Sequence, residues 1–266
     1  MMIRFGSGIR LVGAIALATV GALVASAPVR AEFSSNLFTS GHADIGVGFE
    51  DDALFLHYHF EGGVVNGVPL ADEEIDPGAV TTVVPESLRV SLGAGEDLPF
   101  LGLGAGDEVS ILPQVNTPGV PFLGLATEEL LDSDWAGGIG FELLGVSGPG
   151  EMAVWQSGLF GATVLFDTLD GIGPDDAFTF PIGVHDHANY GFTEVGIYDV
   201  TIRVTGTHTS LGALADTATF RFRVEPFSAA VVPEPGSLAM VGLGATAVLG
   251  AVGSRRPRPG KEVESA

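Results

Sequence analysis

The chain has no cysteine among its 266 residues, so neither disulfide bonds nor thiolate metal ligands are open to it. Basic residues are scarce too: eleven Lys and Arg stand against 33 Asp and Glu. Seven of the eleven sit at the ends, Arg4, Arg10 and Arg30 in the leader and Arg255, Arg256, Arg258 and Lys261 in the tail. Residues 32–254 keep only Arg89, Arg203, Arg221 and Arg223 against 31 acids, a formal charge of −27. Such a surface repels nucleic acid and draws cations, besides favouring solubility outside the cell. Between the two ends no segment sustains a helical period, because Gly and Pro interrupt every candidate. The chain also lacks a His-Glu-x-x-His helix, a Gly-x-Ser-x-Gly elbow and any clear Ser/His/Asp order, so an enzyme is not expected.

What is present begins at the termini. Arg4 and Arg10 flank the start of an apolar run from Leu11 to Val24, and Val29-Arg30-Ala31 follows. This is the plan of a secretory signal peptide, residues 1–31, with cleavage after Ala31 and Ala27 as the lesser option. The run falls short of the ~20 residues that a membrane-spanning helix needs. At the other end Val232-Pro233-Glu234-Pro235 leads into an apolar run, Gly236 to Gly253, closed by the basic tail. Positive residues hold such a tail in the cytoplasm while the rest is translocated.

The Pro-Glu-Pro triplet, single hydrophobic segment and basic end of residues 232–266 resemble the PEP-CTERM sorting signal of Gram-negative bacteria. The resemblance implies an exosortase as partner, cutting near Pro233, Glu234 and Pro235. It also implies a destination in the periplasm, on the outer surface or in the medium. The only membrane contact would be the C-terminal segment, transient or kept as a transmembrane helix, and its Gly- and Ala-rich composition makes it a weak anchor.

About 200 residues, 32–231, remain for a single domain with a sizeable core. Strand-like runs cover Ala43–Phe49, Leu54–His59, Ser87–Leu92, Gly138–Gly145, Glu151–Gln156, Gly196–Thr205 and Ala218–Glu225. The clearest is Gly196–Thr205, where Tyr198, Val200, Ile202 and Val204 alternate with Asp199, Thr201 and Arg203. The stretches Leu98–Gly106 and Asn116–Gly124 read as loops. Both contain Pro-Phe-Leu-Gly-Leu, but their flanks differ, so no repeat is assigned. The expected fold is all-β: an Ig-like sandwich of two antiparallel sheets.

Five of the six histidines cluster: His42, His57 and His59 near the start of the domain, His185 and His187 near its end. On an extended strand residues i and i+2 share a face, so each His-x-His pair presents two imidazoles side by side. His185-Asp186-His187 does so if extended, and otherwise lies in a strand-end loop. If the first and last strands meet, up to five imidazoles converge on one ion, with two independent sites as the fallback. Three or four nitrogen ligands suit tetrahedral zinc, with copper or nickel competing. A single surface His-x-His is more often solvated than ligating; two pairs with His42 shift the balance toward a metal. Asp44 reads first as an ordinary strand polar, with an oxygen ligand or a carboxylate that orients an imidazole as the alternatives; Asp186 reads as a supporting group behind the ligands, and His208 as exposed in a polar turn.

The same residues carry a second resemblance. Gly41 to Asp51 with Leu56-His57-Tyr58-His59, the central Pro121 to Leu125, Trp135 and Gly145 to Glu151, and then His185-Asp186-His187-Ala188-Asn189-Tyr190-Gly191-Phe192-Thr193-Glu194-Val195-Gly196-Ile197-Tyr198 resemble the choice-of-anchor M, surface-anchored repeat domain. Within it they are most similar to PEP-CTERM members repressed by the zinc-uptake regulator. Tyr190 stands where Trp is usual, and Val195 where Pro is usual. The resemblance implies a domain made when zinc is scarce, with a role in zinc homeostasis, and supplies the preference for zinc over copper. The leading expectation is a metal-binding protein that captures or buffers zinc. An adhesive or matrix domain, with a stabilising metal or none, is the alternative. A zinc hydrolase with Glu50 or Glu61 as base stands behind both.

Overall fold

The computed structural model describes residues 36–226. The expected signal peptide and sorting segment lie outside the described residues. Within them the chain forms seventeen strands and four short 3-10 turns, with no α-helix. In chain order the strands are β1 Leu37–Glu50, β2 Ala53–Phe60, β3 Val64–Val65, β4 Val68–Pro69, β5 Glu73–Ile75, β6 Thr81–Val84, β7 Arg89–Ser91, β8 Glu108–Leu112 and β9 Pro121–Ala126. There follow β10 Ile139–Ser147, β11 Met152–Gly158, β12 Gly161–Asp167, β13 Ala177–Phe180, β14 His185–His187, β15 Asn189–Phe192, β16 Gly196–His208 and β17 Gly212–Val224.

They make two sheets, one of twelve strands and one of five in the order β12-β11-β15-β8-β7. Pairing is mostly antiparallel, but not wholly as expected. β1 runs parallel to β6 and to β9, and β17 runs parallel to β6. β1 itself turns a corner. Its first residues, Leu37 and Phe38, pair with β6, whereas from Gly41 onward it pairs with β9 and, from Ala43, with β2. Gly41 has φ +83°, and a Cβ there would run into the Gly62 carbonyl, so the bend at this position requires glycine.

The core follows from the alternation. Tyr198, Val200, Ile202 and Val204 of β16 are all buried, as expected, and so are Phe220, Phe222 and Val224 of β17. They meet Ala43, Ile45 and Val47 of β1 and Leu54, Leu56, Tyr58 and Phe60 of β2. The Tyr58 ring stands edge-on to Phe220 at 5.1 Å, and its hydroxyl shares a 2.8 Å hydrogen bond with Thr82. From the five-stranded sheet, Tyr190 and Phe192 pack on Phe222 at 5.8 and 5.3 Å. Each such side chain contributes ~1.5–3 kcal/mol by leaving water.

Two local expectations change. The segment read as a loop, Asn116–Gly124, supplies most of strand β9, because Pro121-Phe-Leu-Gly-Leu-Ala lies buried between β1 and β14 and needs ladder partners for its backbone. The expected strand Ser87–Leu92 starts as a 3-10 turn, Glu86–Leu88, before β7. His185-Asp186-His187 is extended, as β14, but it is not the last strand. It reaches β1 through β9, and β17 borders β16 and β6 instead.

Candidate metal centre

Strand β1 has two unlike faces. Ala43, Ile45 and Val47 point into the core, while His42, Asp44, Gly46 and Gly48 occupy the alternate positions. The ladder registers extend that second face across four strands. Asp44 lies opposite His59 and Gly46 opposite His57 on β2; on the other side Asp44 faces Gly124 and Gly46 faces Ala126 on β9. His187 then faces Gly124, and His185 faces Ala126, on β14. All five clustered histidines therefore share one face of the order β2-β1-β9-β14. Three strand spacings separate β2 from β14, ~14 Å at 4.7–4.9 Å each, so the rings approach one another only by leaning inward.

Glycines make the room. A Cβ on Gly124 would run into Asp44 Oδ1 and come within 3.1 Å of His187 Cε1. On Gly46 it would lie 2.7 Å from His57 Nε2, and on Gly48 3.0 Å from Glu129 Oε2. One group of polar side chains thus sits over β9 and another over β1.

The first group is His42, His185 and His187, whose candidate donor atoms lie within 4.8 Å of one another. Ring centroids are separated by 5.1 Å (His42–His187), 5.8 Å (His42–His185) and 5.7 Å (His185–His187). His187 is stacked on Phe122 at 3.5 Å, which fixes its plane. Glu128 Oε2 bonds His185 Nδ1 at 2.8 Å, leaving Nε2 as that ring's remaining donor. Glu61 Oε2 stands 3.5 Å from His42 Nδ1. Asp44, read first as an ordinary strand polar, is wholly buried, with its Oδ2 3.4 Å from His42 Nε2, where its other readings, ligand or orienting carboxylate, would place it. Neither Asp44 oxygen, nor His42 Nε2, nor His187 Nδ1 has a hydrogen bond.

Electrostatics divide the histidines. The Asp44 carboxylate, aided by Glu61 and Glu128, holds His42 above the usual imidazole pKa against the effect of burial. Burial pushes His187 below it, outweighing Asp44 and keeping that ring neutral and ready to ligate at neutral pH.

The second group is His57, His59 and Glu129, again within 4.8 Å. Glu129 Oε1 lies 2.8 Å from His57 Nε2 and 3.1 Å from His59 Nδ1, while Asp72 holds His59 Nε2 at 3.1 Å. Burial opposes protonation of His59, but the Asp72 hydrogen bond and the charges of Glu129 and Glu61 raise its pKa overall. The five histidines thus divide between two clusters.

The remaining candidates lie elsewhere. Asp186 is exposed and accepts the His187 backbone N–H at 2.8 Å, which orders the chain at His187. Glu50 is exposed at the end of β1. His208 is not simply exposed: it stacks on Phe49 at 4.8 Å and stands edge-on to Trp135 at 5.2 Å. Glu128, Glu129 and Asp72 were not singled out by the sequence. The signal for the first two was their place just after Leu125-Ala126-Thr127, which required reading β9 as a strand.

Among the described residues no helix is long and apolar enough to cross a membrane. No curated protein and no solved structure matches the chain. The PEP-CTERM protein-sorting motif matches residues 231–256, the segment that contains Pro233, Glu234 and Pro235, and this supports an exported, surface-sorted protein with an exosortase as its sorting partner.

Proposed function

We propose that this protein captures or buffers zinc outside the inner membrane, binding it through His42, His185 and His187 with Asp44 beside them. The observation that carries the reading is the triangle of three imidazoles, in which His42 Nε2, His187 Nδ1 and both oxygens of the adjacent Asp44 are buried without a hydrogen bond, while His185 opens the site to solvent. Each buried polar atom without a partner costs ~1–3 kcal/mol, and more when charged. One cation among these rings relieves several at once. With Zn–N bonds of ~2.0–2.1 Å, ring centroids in a tetrahedral site lie about 5.2 Å apart, close to the separations here. A square-planar site, as copper(II) or nickel(II) prefers, would put two of any three rings across the ion at about 6.4 Å. Nitrogen and carboxylate donors without sulfur also suit zinc. The carboxylates Glu61, Asp72, Glu128 and Glu129 surround the face and concentrate cations near it.

The resemblance to the choice-of-anchor M domain and its zinc-regulated members belongs to the same reading, as do an Ig-like lineage for the sandwich and removal of residues 1–31 on export. Calorimetric titration of the metal-free chain with zinc, copper, nickel and manganese tests it. Tight zinc binding whose strongest component is lost in His185→Ala/His187→Ala is expected. A wild-type chain that binds no zinc would leave the adhesive or matrix role in its place.

A further inference from the structure

Beside the triangle of imidazoles, the cluster over β1 has its own ligand geometry. His57 is 97 % buried and its Nδ1 has no partner. His59 Nε2 shares a hydrogen bond with Asp72 at 3.1 Å, and its Nδ1 lies 3.1 Å from Glu129 Oε1. In the neutral ring with its hydrogen on Nε2, the buried Nδ1 would present its lone pair to that carboxylate oxygen, and it makes no hydrogen bond. The same Glu129 oxygen lies 2.8 Å from His57 Nε2. Without a cation the contact needs a proton on His59, whereas a cation between the three donors satisfies all of them together. Donors 2.8 and 3.1 Å apart approximate the ~3.3 Å edge of a zinc tetrahedron with 2.0–2.1 Å bonds. Asp72 would act as the outer carboxylate that commonly orients a ligating imidazole.

We infer that His57, His59 and Glu129 form a second divalent-cation site of zinc-like preference, so that one sheet face holds two ions. The inference rests on the zinc reading above and adds a carboxylate-containing site to an imidazole-rich one. Gly46 and Gly48 leave the space over β1 that it needs, as Gly124 does over β9. The two sites differ in composition: three imidazoles beside Asp44 in one, two imidazoles and Glu129 in the other. With its harder donor set, the second site should hold zinc more weakly and release it first.

Native mass spectrometry and zinc calorimetry of the full chain provide the test, using Glu129→Gln as a variant of equal size that leaves both histidines in place. The wild type should take up two zinc ions. Glu129→Gln and His57→Ala/His59→Ala should each take up one, and so should His185→Ala/His187→Ala. A wild type that binds one ion, unaffected by Glu129→Gln and lost with His185 and His187, would overturn the second site and leave the first. One ion lost with either pair would also overturn it, in favour of a single shared site. No zinc bound at all would remove both readings.

Discussion

Asp44 Oδ2 lies 3.4 Å from His42 Nε2, and neither atom has a hydrogen bond although both are shut off from solvent. A buried carboxylate in that state lowers the stability of the metal-free domain, and a bound cation reverses the effect. Asp44→Asn, which keeps the shape and removes the charge, should weaken zinc binding ~10–100-fold. The metal-free variant should melt no lower than wild type. Calorimetry and thermal melts measured side by side check both, and unchanged zinc affinity would exclude Asp44 from the site.

The protonation of the first cluster predicts how zinc binding depends on pH. Protons and zinc compete for the same nitrogen lone pairs, so affinity falls as pH falls. His42 has a raised pKa, chiefly through Asp44, so it takes up its proton above the ~6.5 of an ordinary imidazole. His187, lowered by burial, protonates below it. Loss of affinity should therefore begin above pH 6.5, and Asp44→Asn should move its onset to lower pH. Histidine NMR titrations of the metal-free protein would give the two rings in this order, and the reverse order would contradict the electrostatics.

The glycines permit selective lesions. Gly124→Ala drives a methyl group against Asp44 and His187, and Gly46→Ala drives one against the His57 ring. Each should cost ~1–3 kcal/mol of stability through overpacking. Zinc titration should show Gly124→Ala damaging the imidazole-rich cluster and Gly46→Ala the one that contains Glu129. Identical binding curves for the two variants would mean that the clusters do not act separately.

His208 serves packing. Its contacts with Phe49 and Trp135 predict that His208→Ala lowers stability by about 0.5–1.5 kcal/mol and leaves zinc affinity as in wild type. A loss of affinity in this variant would tie the ring to the metal face.

Because Tyr58, Tyr198, Phe220 and Phe222 are buried in a core distinct from the histidine face, chelation should leave the domain folded. Its melting temperature should fall only by the binding free energy of the ions removed. Far-UV circular dichroism in the presence of a chelator checks this, and collapse of the signal would recast the metal as a structural staple.

Much of the β-fold was legible from local pattern. Alternation marks β16 without ambiguity, since Tyr198, Val200, Ile202 and Val204 can share only one face of a strand. The same two-residue period puts His57 beside His59, and His185 beside His187 once β14 is extended. β9 was not legible, because Pro121-Phe-Leu-Gly-Leu-Ala is buried on both faces and shows no alternation. Without β9 the sequence offers no bridge from His42 to His185 and His187, and no reason to look at Glu128 or Glu129.

By itself the sequence determined which donor types are available, imidazole and carboxylate without thiolate, and which residues share a strand face, because these depend only on composition and on the period of an extended chain. Tertiary structure alone decided which strands became neighbours. The corner at Gly41 and the parallel pairing of β1 with β9 bring residues 80 to 145 positions apart onto one surface. There, Asp44 loses its solvent and becomes a buried carboxylate without a hydrogen bond, beside His42. Ladder register decides that outcome, and register is set by the packing of the opposite, apolar face, which no local motif encodes.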